Sequence, residues 1–290
     1  MTESPTAPRA DLSRPDPESA LRPWRQRWNL HADGAAFDTP SSALQPVLLA
    51  GAPAMLKLAY DAEEQWGGAL MRWWNGDGAA RVLAYDGHVL LIERATGRDS
   101  LLAMASDGRD DQACRILCEV ARQLHTRTAP PPDGLQPLAS YFESLASAAQ
   151  AHGGLYARAW RIAEPLLQAG ADPVPLHGDL HHENVLDFGP RRGWLAIDPK
   201  RVIGDRGYDH ATMFGDPLQL GRELPRRLEH RLQVVADASG LAPSRLLRWI
   251  AAQQGLSAAW HLEDDEAEEA QLPLSVLAAA LALGADERDD

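Results

Sequence analysis

Polar and apolar positions follow two rhythms along this chain, and the change falls near Arg94–Gly97. From Trp24 to about Ile92 the pattern is strand-like, broken once. Pro46–Ala50 reads as a short strand, Gly51–Pro53 as a turn and Ala54–Tyr60 as the partner strand. Asp61–Trp74 reads as a helix, with Asp61 as its cap and Glu64 three residues on, as in a capping box. Asn75-Gly-Asp-Gly78 then forces a loop. Ala80–Tyr85 and His88–Glu93 read as a hairpin about Asp86-Gly87.

Beyond that point the period is mainly helical. Asp110–Thr126 carries Ala113, Ile116, Leu117, Val120 and Leu124 at helical spacing. Pro137–His152 and Leu155–Ala169 are two further helices, and helices fill most of 207–285. Val174–Leu176 is a short strand. Val185–Phe188 and Trp194–Ile197 form a hairpin around Pro190–Gly193. Residues 1–23 contain five prolines and few large apolar groups, so they read as a flexible leader. The expectation is an α+β chain in two lobes. An N-terminal lobe, 24–95, holds an antiparallel sheet and one helix; a larger, mainly helical C-terminal lobe spans 96–290.

Composition narrows the function classes. A chain of 290 residues, 45% apolar, can bury a substantial core and suits two lobes. Its apolar runs fall short of the roughly 18–20 residues that span a bilayer. No secretory pattern opens it. Cys114 and Cys118, at i and i+4, read as buried thiols in a reducing compartment, and the expected location is cytoplasmic. The net charge of −13 argues against nucleic acid or an anionic membrane as partner. It is compatible with a cationic substrate. No obligate protein partner is evident. Of 28 basic residues only two are lysine, Lys57 and Lys200.

The chemistry concentrates in Leu176-His-Gly-Asp-Leu-His-His-Glu-Asn-Val185 and Ala196-Ile-Asp-Pro-Lys200. Asp179 can orient and deprotonate a hydroxyl. Asn184, five residues on, offers a neutral oxygen to a metal, and Asp198, fourteen further, a charged one. Mg²⁺ prefers few protein ligands plus phosphate oxygens and water, so two side chains suffice. This spacing fits phosphoryl transfer, where catalysis is mostly positioning and charge neutralisation. Lys57, mid-strand between Leu56 and Leu58, can reach phosphate as a flexible point charge, tethered by Glu64 or Glu63 of the following helix. His177 reads as a brace of the loop, His181 and His182 as loop surface. Lys200 has no role derivable from the sequence.

These segments resemble aminoglycoside phosphotransferases, small-molecule kinases with the protein-kinase-like fold. Leu70–Leu83, Leu91–Gly97, Asp198–Lys200 with Gly204–Asp209, and Ser257–Glu263 resemble more narrowly the streptomycin 6-kinase and hydroxyurea-resistance kinase group. The resemblance implies Asp179 as base, Asn184 and Asp198 as Mg²⁺ ligands and Lys57 on the ATP phosphates. It also implies that backbone around Glu93–Ala95 grips adenine. No Gly-x-Gly-x-x-Gly precedes Lys57, so Thr39–Ala43, with Ser41 and Ser42, is the expected phosphate-covering turn. For a guanidinium-bearing aminoglycoside the acceptor site should be acidic, and Asp205, Asp209, Glu263, Asp264 and Asp265 are the candidates. The expected activity is phosphorylation of streptomycin at its 6-hydroxyl, conferring antibiotic resistance. The alternatives are a kinase of hydroxyurea or a metabolite, and a nucleotide-binding protein without catalysis.

Overall fold

The computed structural model describes residues 15–60, 62–169 and 173–287, apart from the side chains of 62–64. Helix α1 (Pro17–Arg27) opens it, capped by Asp16, whose carboxylate accepts the Ser19 N–H at 3.0 Å. Strands β1 (His31–Ala32), β2 (Phe37–Asp38), β3 (Ser42–Leu49), β4 (Ala52–Ala59), β5 (Val82–Asp86) and β6 (Val89–Glu93) follow, with α2 (Ala62–Trp74) between β4 and β5. They form one antiparallel sheet in the order β1-β3-β4-β6-β5, with β2 also on β3. The β3–β4 hairpin turns on Ala50-Gly51, both at positive φ, the two-residue geometry that matches strand twist.

Period-two alternation gives this sheet two apolar faces. Ala54, Leu56, Val89 and Leu91 cluster with Leu21 of α1 on the outer face. The inner face contributes Leu90 and Ile92 to a cluster with Met71 of α2 and with Phe188 and Leu195 of the larger lobe. The leader expected over 1–23 is therefore corrected from Pro17 onward. Leu21 is wholly buried, and a proline in the first helical turn starts a helix rather than preventing one. Residues 1–14 lie outside the described residues, as does the expected Asp61 cap.

The larger lobe comprises α3 (Leu101–Ser106), α4 (Asp110–His125), β7 (Gln136–Pro137), α5 (Leu138–Tyr141), α6 (Glu143–His152), α7 (Gly154–Gln168), β8 (Val174–Leu176), β9 (Val185–Asp187), β10 (Trp194–Ala196), β11 (Val202–Gly204), α8 (Gly207–Thr212), α9 (Leu224–Ser239), α10 (Pro243–Glu263) and α11 (Gln271–Ala282). Its core gathers around α10, with Leu246, Trp249, Ile250 and Leu256 fully buried. β9 and β10 make the expected hairpin. β11, which the sequence pattern does not announce, pairs with both β7 and β8 and so brings the segment after Asp198 alongside the one before Asp179. The helix expected over Pro137–His152 is broken at Phe142. Among the described residues, no helix is long and apolar enough to cross a membrane.

Two imidazoles are locked inside this lobe. Burial pushes His210 of α8 down to about 4 and His182 down to about 3. Both folded values lie below the free value, so the stability they leave intact above pH 6.5 is lost as pH falls toward those values. By pH 5 proton uptake by the unfolded chain costs the fold roughly 2 kcal/mol per imidazole. Calorimetry should show a lower Tm at pH 5 than at pH 7; an unchanged Tm would contradict the burial of both rings.

Candidate active site

The site forms where β8 runs into the His177–Asn184 loop and β10 into Asp198. His177 is fully buried. Its Nε2 lies 2.7 Å from the Ile197 carbonyl, which can only accept, so Nε2 carries the proton. Nδ1 then accepts the Asp179 N–H at 3.3 Å. Burial foremost holds this imidazole below its ordinary pKa, and the neutral ring suits both bonds. The His177 carbonyl accepts the Lys200 N–H at 2.7 Å. One histidine thus ties the Asp179 loop to the Asp198 segment. Gly178, at φ +81°, is required in between: a Cβ there would stand 2.7 Å from Val202 Cγ1 and 2.9 Å from Lys200 Cβ.

Asn184 donates from Nδ2 to the Asp179 carbonyl at 2.9 Å and, more weakly, to Asp179 Oδ2 at 3.3 Å. With the amide nitrogen committed, Oδ1 remains as a ligand atom. Asp198 sits at φ +55°, uncommon for a residue with a side chain, and its Oδ1 accepts from Lys57 Nζ at 2.6 Å. Its second oxygen is the other atom that could hold a metal. Two oxygens of this kind, one neutral and one charged, fit Mg²⁺. Lys57 lies in β4 between β3 and β6, only 5% exposed, on the strand face opposite Leu56. The expected tether, Glu64 or Glu63, falls outside the described side chains. Helix α2 packs hard on this segment: a Cβ on Gly67 would lie 2.6 Å from the Pro199 carbonyl.

The other predicted nucleotide contacts are placed unequally. The turn at Thr39–Ser42 does precede Lys57's strand pair, and the Thr39 N–H and hydroxyl both reach the Ser42 carbonyl. Ser41 is half-buried, but the Ser42 side chain is fully buried, which removes its hydroxyl from the cleft. Glu93 is gripped by the Arg192 guanidinium (2.7 and 3.2 Å) and by the Arg81 N–H (2.7 Å). Its carboxylate therefore braces the junction of the lobes. Ala95 is partly buried and, like Met55, Leu186 and Ile197, packs against the apolar cluster of Leu90, Ile92, Phe188 and Leu195 between the lobes.

Asp179 is 42% exposed and opens onto a cavity of about 860 Å³. Asp216, Gln254, Trp260, Asp264 and Glu268 also line it, with Tyr141 edge-on to Trp260 at 5.9 Å. Of the expected acceptor carboxylates, Asp264 lies in the cavity wall. Glu263 accepts from Ser144 at 2.9 Å, and Ser144 lines the cavity. Asp205 and Asp209 are corrected. Asp205 accepts the Gly207 N–H at the start of α8 at 2.8 Å and pairs with Arg245. Asp209 is completely buried, accepting from the N–H groups of His177 (2.8 Å) and Gly178 (2.7 Å) and from His125 Nε2 (2.8 Å). Burial alone would raise its carboxyl, but these donors, His125 first, hold it below the ordinary range. It shapes the His177–Asn184 loop from beneath and has no oxygen left for a substrate.

Sequence reading also misplaced two histidines and missed one carboxylate. His182 is 2% exposed, and His181, 16% exposed, sits 2.9 Å from Asn184 Nδ2 and 3.8 Å from Asp179 Oδ1. Neither is loop surface. Asp216 lies 3.8 Å from His181 Nδ1. Burial, reinforced by Asp179 and Glu183, pushes its carboxyl above the ordinary range. His181, Glu183 and Asp216 each bring a ligand atom within 4.8 Å of the others, beside the Asn184–Asp198 pair. An acidic residue before a proline between two helices was the available signal for Asp216, and it is a weak one.

Known proteins resemble this chain in sequence and in fold. The sequence model of the aminoglycoside/hydroxyurea antibiotic resistance kinases matches residues 27–265. Streptomycin 3''-kinase of Klebsiella pneumoniae is 50% identical over 245 residues, 82% of this chain and 91% of that protein. Streptomycin 6-kinase of Streptomyces griseus is 33% identical, over 82% of this chain and 80% of that protein. Among solved structures, a choline/ethanolamine kinase family protein of Mesorhizobium loti superposes with TM-score 0.65 at 14% identity, covering 87% and 88% of the two chains. An aminoglycoside phosphotransferase held with ADP and hygromycin B superposes with TM-score 0.61, also at 14% identity, covering 92% and 99%. At that identity the structures speak for the protein-kinase-like fold. The sequence matches establish that this chain belongs to the aminoglycoside/hydroxyurea antibiotic resistance kinase family.

Proposed function

We propose that the protein is an ATP-dependent O-phosphotransferase that inactivates streptomycin. One observation carries the reaction class. A single hydrogen-bonded frame, built on His177 and Asn184, holds Asp179 at the mouth of a large acidic cavity and Asp198 beside Lys57. Adenine lies against Met55, Ala95, Leu186 and Ile197 at the junction of lobes 24–95 and 96–290, close to the Glu93 brace. The phosphates lie under the Thr39–Ser42 turn, with Ser41 its available hydroxyl, and meet Lys57. Asn184 and Asp198 would hold Mg²⁺, which when bound would supply charge neutralisation on the transferred group. Asp179 orients the acceptor hydroxyl and takes its proton as the oxygen–phosphorus bond forms.

Size and charge support the acceptor. The cavity, about 860 Å³, lies in the upper part of the ~300–1,000 Å³ range of small-molecule sites and far exceeds what hydroxyurea fills. Asp216, Asp264 and Glu268 suit guanidinium groups, and Trp260 offers an apolar wall. The 6-hydroxyl named from sequence and the 3''-hydroxyl both have relatives behind them. Identity of 50% to a 3''-kinase against 33% to a 6-kinase favours the 3''-hydroxyl. ADP release should be measured with streptomycin, hygromycin B, hydroxyurea and choline. Turnover should be largest with streptomycin; none with it would overturn the acceptor.

Asp216 gives a sharper test of recognition. Hydrogen bonds to charged groups contribute about 1.5–3 kcal/mol. Asp216→Asn should therefore lower kcat/KM for streptomycin by about ten- to a hundredfold, mainly through KM. An unchanged KM would remove Asp216 from the acceptor site.

A further inference from the structure

We propose that Lys200 is a catalytic residue whose ammonium holds the phosphoryl group in transit from nucleotide to acceptor. The proposal rests on the reaction class above but not on the identity of the acceptor. The chain has two lysines, and each stands at one of the two loop carboxylates: Lys57 Nζ is 2.6 Å from Asp198 and Lys200 Nζ 3.9 Å from Asp179. Lys57 occupies the buried donor side. Lys200 lines the acceptor cavity with Asp179. Phosphoryl transfer runs from the first carboxylate's side to the second's.

The stem of Lys200 is fixed and its head is not. The backbone N–H is bonded to the His177 carbonyl at 2.7 Å, and the absent side chain of Gly178 makes room for the Lys200 Cβ. The ammonium, at 3.9 Å, is beyond hydrogen-bond length from Asp179, and the side chain is 30% exposed. Among the described residues no other carboxylate lies within 4 Å of it. A compact charge on a four-carbon tether can follow a group that moves a few ångströms between partners. The neighbouring Arg201 shows the contrast, its planar guanidinium stacked 3.9 Å over Trp66.

In the step itself Lys200 neither gives nor takes a proton. The acceptor hydroxyl's proton passes to Asp179, and its oxygen bonds the γ-phosphorus. The bond from that phosphorus to the bridging oxygen breaks, the electron pair leaving on ADP. Lys200 donates N–H bonds to a peripheral oxygen, strongest when the group is planar between donor and acceptor.

Lys200→Met and Lys200→Arg should be compared with the wild-type chain in two assays. The first is calorimetric binding of ADP with Mg²⁺, with and without aluminium fluoride as a planar phosphoryl mimic, and with no acceptor present. Lys200→Met should bind ADP and melt as wild type does, yet lose at least about tenfold in the affinity added by aluminium fluoride, with Lys200→Arg retaining part of it. The second is turnover, where loss of one such donor typically costs about 10²–10³-fold in kcat. Wild-type affinity for the mimic, or a loss confined to the acceptor KM, would overturn the proposal. Because no acceptor is used in the first assay, failure of streptomycin as substrate leaves that assay intact and counts only against the acceptor.

Discussion

Asp179→Asn should reduce kcat by about 10²–10⁴-fold, the range that positioned general bases contribute. The amide keeps the size of the carboxylate but cannot take the hydroxyl proton. The surrounding frame should survive, because little of it rests on this carboxylate. Asn184 bonds the Asp179 backbone carbonyl at 2.9 Å more closely than its side chain at 3.3 Å, and the side chain is 42% exposed. Melting temperature and ADP affinity should therefore match wild type. Steady-state kinetics with a thermal melt separates the outcomes. A variant that keeps its rate would remove Asp179 as base, and one that melts early would make it structural.

Asp209→Ala should do the reverse, acting first on stability. Three donors converge on this fully buried carboxylate: the His177 and Gly178 N–H groups and His125 Nε2. Alanine leaves all three without an acceptor in a dry place. Removing one partner of a buried charged network typically costs about 3–5 kcal/mol. For a lobe of this size that lowers Tm by on the order of 10 °C. Catalysis should fall as well, since the same N–H groups set the path of the chain into Asp179. Asp209→Asn, which retains an acceptor oxygen, should recover part of the loss. A Tm within a degree of wild type for Asp209→Ala would contradict the role given to this carboxylate.

Asp209 also shows where sequence reading stops. From sequence it was an acidic residue in a motif-bearing segment, and an acceptor role followed from charge alone. Its actual partners are about thirty residues upstream on the chain, or, for His125, further still, so no local pattern announces them. Residue type and spacing single out Asp179, Asn184, Asp198 and Lys57 as candidates, and the structure brings Asn184 to Asp179 and Lys57 to Asp198. β4, α2 and the β9–β10 hairpin were legible because periodicity and turn residues agreed there. β11 was not: three residues long, it exists through pairing with β7 and β8. The N-terminal helix was obscured by proline content, although Asp16-Pro17 followed by Ser19 already carried a capping signal. Asp216 enters the cavity only through tertiary packing.

The cavity proposed for the acceptor is where function and family would separate. In the proposed reading the frame around Asp179 would serve transfer to any hydroxyl, and the wall of Asp216, Trp260, Asp264 and Glu268 would select one. The most direct measurement of the central claim is the product itself. The purified protein should be incubated with ATP, Mg²⁺ and streptomycin, and the antibiotic analysed by mass spectrometry and phosphorus–proton correlation NMR. The account predicts one added phosphoryl group, on the 3''-hydroxyl. Streptomycin recovered without phosphate, while ATP and Mg²⁺ are bound, would contradict it.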